Sequence, residues 1–204
     1  VRAQLDGLLN EQYGGWARSG ISTASGARVE HLYLRAHMYS NAELLSLALK
    51  TTDGYLKAID PVWGGVFVKT FHDNDNRPAR FRALGAVPEK RISNQANALV
   101  AFANGYRTTR EPAYLKGIEE VDRFLQNWMM DDDGTFYTSQ EDDPPGLTDN
   151  MNAIDYWLLD SDKKRRKYSI PPIDHAVYTD KNAQVIIAYA QAYEATEKQR
   201  YLDT

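Results

Sequence analysis

The stretch QANALVAFANGYRTTREPAYL, residues 95–115, aligns without a gap on NAQVIIAYAQAYEATEKQRYL, residues 182–202. Ala96, Ala101, Ala103, Tyr106, Thr109, Tyr114 and Leu115 recur as Ala183, Ala188, Ala190, Tyr193, Thr196, Tyr201 and Leu202. The match runs through an apolar helical stripe, a threonine-containing link and the Tyr-Leu opening of the next helix. Shared alanine content alone does not produce that. Self-similarity on this scale marks a repeat architecture, in which each unit buries its apolar face against a neighbour. The chain is therefore constrained to a stack or ring of helical hairpins.

The apolar spacing agrees. Ile92, Ala96, Leu99, Ala103 and Tyr106 advance by alternating steps of four and three, which is one face of a helix. This predicts helices over 92–107 and 180–195, with another over 111–129 that starts at Pro112. Upstream, Val29, Leu32, Tyr33 and Ala36 predict a helix over 28–38, and Leu45, Leu49, Thr52, Leu56 and Ile59 predict one over 40–59. Ser40-Asn41-Ala42-Glu43 reads as a capping box for the latter, and Asp60-Pro61 as its stop. A Gly-aromatic segment adjoins the predicted pairs: Tyr13-Gly14-Gly15-Trp16, Trp63-Gly64-Gly65-Val66-Phe67 and Asp133-Gly134-Thr135-Phe136-Tyr137. Glycines there let the backbone turn sharply after a helix.

The expected fold is all-α, a partial (α/α) toroid of helical hairpins with Gly-aromatic loops, forming one domain over residues 1–204. Thr204 falls in the first turns of a helix whose earlier copy runs to about 129, so about half of a longer ring is expected here. Apolar surface on the last helices would then be open, or covered by a missing C-terminal half or by self-association. Two long polar loops interrupt the helices, at 68–91 and 137–180. Within the second, Asp155-Tyr156-Trp157-Leu158-Leu159-Asp160 is expected as a short strand or turn anchored by its aromatics. The basic run Lys163 to Lys167 reads as a solvated loop.

Composition excludes several classes. Apolar residues at 43% and charged residues at 25% are ordinary for a soluble globular protein. A net charge of -4 implies no general attraction to nucleic acid. No apolar run approaches the ~20 residues of a membrane span. The absence of cysteine removes disulfides, thiolate metal sites and cysteine nucleophiles. No P-loop, dinucleotide fingerprint, zinc signature or nucleophile elbow is present, so no cofactor is expected. The acidic runs Asp131-Asp132-Asp133 and Glu141-Asp142-Asp143 lack the alternate spacing of a calcium loop, so no metal is expected.

Glu89, Glu141 and Asp142 are the candidate carboxylates for acid–base work, since glycoside hydrolysis uses two. Each reads otherwise as a solvated loop charge. His72 and His175 lie in the long loops and could serve as a pair of bases at a sugar carbon, or be surface histidines. Gln95 and Asn182 occupy one repeat position and read either as cavity amides for a polyol or as buried ties between helices. Trp63 could stack on a sugar face or plug the core beside its glycines. Arg80, Arg82 and Tyr137 complete the candidate binding set, and Trp63, the 72–91 loop, Gln95 and residues 137–142 are expected around one pocket.

The motif order resembles the six-hairpin (α/α)6 toroids, which include many carbohydrate-active enzymes, and in particular the thioredoxin-fused six-hairpin proteins (the spermatogenesis-associated, YyaL-like family). The resemblance covers about residues 5–195. Tyr13-Gly14-Gly15-Trp16 looks like that family's opening Gly-Gly-Phe, and Trp63-Gly64-Gly65-Val66-Phe67 like its second glycine segment. Val87-Pro88-Glu89-Lys90 followed by Asn94-Gln95-Ala96-Asn97-Ala98 is similar to its Val-Pro, Glu-Lys and Asn-Ala helix. Gly134-Thr135-Phe136-Tyr137-Thr138-Ser139 resembles its Gly-Gly-Phe-Tyr-Ser stretch. The His-Phe dipeptide common between the family's proline and Glu-Lys pair is missing here, and no redox motif is present. The resemblance implies a sugar hydrolase- or epimerase-like domain acting on a carbohydrate or other polyol; a non-catalytic binding or scaffolding domain is the alternative.

Overall fold

In the computed structural model, residues 7–16, 20–71, 77–148 and 150–204 are described. The helices are α1 (Gly26–Met38), α2 (Ala42–Leu56), α3 (Ile92–Thr109), α4 (Pro112–Phe124), the short α5 (Ala153–Trp157) and α6 (Asp162–Arg165), and α7 (Thr179–Thr196). A π-helical turn, Leu125–Met129, extends α4. Strand pairs are two residues long: β1 (Ile21–Ser22), β2 (Lys69–Thr70), β3 (Ala86–Val87), β4 (Lys90–Arg91), β5 (Ser139–Gln140) and β6 (Ile173–Asp174). They form two antiparallel sheets, β1-β2-β3 and β4-β5-β6. The fold is the expected mainly-α toroid of hairpins.

α1, α3 and α7 form an inner layer, with α2 and α4 outside it. Asn104 meets Gln191 at 3.1 Å and Arg107 meets Glu194 at 3.2 Å. Both pairs advance together along their helices, so α3 and α7 run parallel, and the repeat is a repeat in space. Its ends agree as well. Arg110 and Glu197 both take left-handed φ, 60° and 59°, and their N–H groups return to Tyr106 and Tyr193. β1, β4 and β6 each lead into an inner helix, so both sheets gather at the N-terminal ends of the inner layer.

Three local expectations are corrected. Ser40 does not cap α2. It takes a left-handed φ of 47° and closes α1, donating to His37 while Asn41 donates to Ala36. Asn41 is the cap, accepting from Leu44 N–H at 2.9 Å. Residues 155–157 are helical rather than extended, because Asn152 and Asp155 make a reciprocal capping box. The basic run is not wholly solvated, since Arg165 is fully buried.

Arg165 is buried because it meets Asp60. Its guanidinium grips both carboxylate oxygens, at 2.7 and 2.9 Å, and Lys90 Nζ donates to the same carboxylate at 2.7 Å. All three side chains are inaccessible. Burial alone would raise the Asp60 pKa, but Lys90 and Arg165 outweigh it and hold it at about 2. Burial pushes Lys90 down to about 8, with Asp60 opposing. Trp63, Phe67 and Trp157 pack beside the cluster and present ring faces to the ammonium.

Arg165→Met takes the guanidinium from the Asp60 carboxylate and leaves the Trp157 carbonyl without its buried donor, while Lys90 still balances the charge, so it should lose about 1–3 kcal/mol of stability in urea unfolding. Lys164→Met, one residue away and exposed, should stay within about 0.5 kcal/mol. Because the folded Asp60 pKa is depressed, its contribution is complete above the ordinary value of 3.8 and fades as pH falls towards about 2. Equal unfolding midpoints for the two variants at neutral pH would contradict this account.

Candidate functional site at the inner-helix ends

The second sheet sets the site by alternation. Lys90 pairs with Gln140 and Arg91 with Ser139, and on β6 Ser139 pairs with Asp174. Successive side chains of a strand point to opposite faces. Lys90 and Gln140 therefore go into the interior, where both are fully buried. Arg91, Ser139 and Asp174 share the other face, and Glu89 and Glu141 extend it by one residue on adjacent strands. Arg91 holds both oxygens of Glu89, at 2.6 and 2.9 Å, and its charge is further favoured by Glu141. Ser139 Oγ donates to Glu141 at 3.4 Å.

Asp142 continues this rim. Arg80 donates to it at 2.8 Å. Burial pushes the Asp142 pKa up, Asp143 adds to that, Arg80 opposes it, and Glu89 raises it again. Glu89, Glu141 and Asp142 thus share one electrostatic neighbourhood but not one environment. Beside them Arg80 and Arg82 line a cavity of about 620 Å³ with Asp143, Asn152 and Asp155. A cavity of about 920 Å³ opens elsewhere, between α2 and the first sheet, and none of these carboxylates lines it. Tyr137 stacks flat on His175, with ring centroids 4.2 Å apart and planes 7° from parallel. His72 lies outside the described residues.

Three candidates are turned into the protein instead. Trp63 is 2% exposed, packs on Trp128 with centroids 4.6 Å apart, and donates its indole N–H to Asp162. The glycines beside it are needed for close approach. Gly64 has φ 76° and a Cβ there would meet the Glu120 carbonyl at 2.3 Å, while one on Gly65 would meet the Phe124 ring at 2.6 Å. Gln95 Oε1 accepts from Val66 N–H at 2.7 Å, and its Nε2 donates to Val66 carbonyl at 2.8 Å. Asn182 does the same to Phe136, at 2.8 and 3.1 Å. The expected single pocket is therefore corrected: its carboxylate rim is surface, while Trp63 and Gln95 are interior.

Sequence reading missed Arg91, Ser139 and Asp174. Their signal was strand alternation through Glu89 and Glu141, hidden because two-residue strands carry no readable period.

No protein-family model matches the sequence, and no curated protein matches it. Solved structures do match in fold. A sugar epimerase from a ruminal bacterium superposes with a TM-score of 0.64 at 18% identity, over 99% of this chain and 49% of its own. An inactive variant of the family 76 α-1,6-mannanase of Salegentibacter, with two consecutive aspartates replaced and α-1,6-mannotetrose bound, gives 0.64 at 12% identity over 93% and 46%. The cellobiose 2-epimerase of Bacillus thermoamylovorans gives 0.61 at 11% identity over 98% and 49%. The chain shares their mainly-α toroid fold. It spans just under half the length of each of these structures.

Burial and the neighbouring Asp143 should make Asp142 titrate above the ordinary aspartate value in an NMR titration. Arg80 is the nearby cation favouring its ionised form, so Arg80→Ala should move that titration further up. An unchanged or lowered value would mean that Arg80 does not act on Asp142.

Proposed function

We propose that this is a carbohydrate-active domain, with the Glu89–Glu141–Asp142 rim as its reactive edge and a neutral sugar or other polyol as its ligand. The carrying observation is that three carboxylates share one rim in different environments. Acid–base pairs arise where surroundings push two carboxyl groups apart in pKa. Asp142, whose pKa is raised, is the proton donor to a leaving oxygen. Glu141 is the second carboxylate, and Glu89, matched by Arg91, orients that cation beside it. Arg80 and Arg82 offer donors to sugar hydroxyls. Two carboxyl groups on one rim are the pair that glycoside hydrolysis uses, which favours hydrolysis over epimerisation. Trp63, Gln95 and Asn182 support the turns from within. The fold shared with mannanases and epimerases supports the substrate class, and the motif order supports an origin among thioredoxin-fused six-hairpin proteins.

A second reading, a binding domain without turnover, is favoured by one feature: Glu89 and Asp142 are both engaged by arginines. One experiment separates the two. Binding and hydrolysis of α-1,6-mannotetraose and cellobiose are measured for the parent, Asp142→Asn and Glu141→Gln, with thermal unfolding as a control for folding. The hydrolytic reading expects parent turnover and a loss of at least about 100-fold in kcat for Asp142→Asn. Parent binding without turnover supports the binding domain, and variants as active as the parent sink the acid–base assignment.

A further inference from the structure

Proton donation by Asp142 gives the rim a direction. As a glycosidic C1–O bond breaks, its electron pair and the Asp142 proton go to the bridging oxygen, which leaves as a hydroxyl of the departing fragment. Water supplies the hydroxyl gained at C1, and the proton left over goes to a carboxylate of the rim. The departing fragment therefore lies on the Asp142 side of the cut, and the retained sugar on the Glu141 side. On the Asp142 side stands the cavity of about 620 Å³. Arg80 joins the two, since it donates to Asp142 at 2.8 Å and lines the cavity, as does Asp143, the next residue of the chain. The remaining walls are the 79–83 turn and the start of α5, so no part of α7 enters.

Two of the four charged groups in the lining are already committed. Arg80 is held by Asp142, and Asp155 accepts from Asn152 N–H at 3.1 Å. The Arg82 guanidinium and the Asp143 carboxylate make no hydrogen bond or ion pair among the described residues, so both are open to a ligand. One offers only donors and the other only acceptors, the two roles that a hydroxyl combines. Two arginines against two aspartates leave no net charge, which suits an uncharged ligand. Ala79, Ala83, Ala153 and Ile154 supply apolar wall for the C–H face of a ring. Mostly apolar walls with a few placed polar groups are the usual make-up of a small-molecule pocket. We propose that this cavity is the subsite for the departing fragment and takes a neutral sugar ring, with the reducing end of an oligosaccharide inside it. The assignment rests on the acid–base reading of the rim.

The chain has no cysteine, so Ala79→Cys puts a single thiol on the cavity wall. It is made together with Asp142→Asn, which keeps the probes from being cut. N-bromoacetyl glycosylamines of α-1,6-mannotetraose and cellobiose carry their reactive carbon at the reducing end. The thiolate should displace bromide and form a covalent adduct, counted by mass spectrometry. Untagged sugar at ten times its dissociation constant should slow that labelling about tenfold. The same reactive group at the non-reducing end should label no faster than bromoacetamide. Separately, Arg82→Ala should weaken binding of the untagged sugar roughly tenfold, with thermal unfolding unchanged. Labelling only from the non-reducing end, labelling that untagged sugar does not slow, or binding indifferent to Arg82→Ala would each overturn the subsite while leaving the carbohydrate reading in place. If neither sugar binds the parent, the carbohydrate reading fails and the subsite falls with it.

Discussion

The Asp60 carboxylate fixes the relation between three segments that are far apart in sequence. It sits just after α2, ahead of the Gly64-Gly65 turn. Lys90 reaches it from the strand that becomes α3, and Arg165 from a short helix inside the long second loop. Two cations share one anion, so the cluster carries excess positive charge. The rings of Trp63 and Trp157 face both cations and offset part of that excess. Such a cluster adds little to stability compared with an apolar replacement, but it is costly to leave half made. Any arrangement that removes Arg165 from this spot leaves Asp60 and the Trp157 carbonyl short of buried hydrogen bonds, which gives the long loop one place to lie.

A different polar device holds each Gly-aromatic turn. Ile59 bridges Val66, and Met130 bridges Phe136, in pairs whose hydrogen bonds pass through the flanking residues. Val66 and Phe136 therefore keep their own N–H and carbonyl turned away, towards the next inner helix. A primary amide presents one donor and one acceptor side by side, as a peptide does. Gln95 and Asn182 supply that surrogate peptide. This explains why amides recur at one repeat position without any ligand to bind.

Long-range order was legible in the sequence where periods were long. The helical pairs, the repeat and the turns followed from apolar spacing and glycine placement. The sheets repeat too: Lys69-Thr70 and Ser139-Gln140 are equivalent, as are Ala86-Val87 and Ile173-Asp174. Two residues are too few for alternation to show, and unequal insertions between them hide the correspondence. Arg165 was illegible for another reason. It lies in a run of five basic residues, and only the position of Asp60 in space distinguishes it from its neighbours. The carboxylates of the candidate site were legible as residue types, while their arginine partners and their shared face depended on strand register.

The buried cluster and the exposed rim are two sides of one constraint. Lys90 is fully buried, and its neighbours Glu89 and Arg91 are not. In a strand, fixing one side chain inward fixes the adjacent two outward, and a slip of one residue would exchange the faces. Here such a slip would bury Glu89 and Arg91 while exposing the ammonium that reaches Asp60. The anchoring of Lys90 by Asp60 and Gly64 thus holds β4 in register. Through the pairing with β5, that register also decides that Glu141 emerges beside Glu89 instead of beneath it. The chemistry available at the surface follows from a charge that no ligand would ever touch.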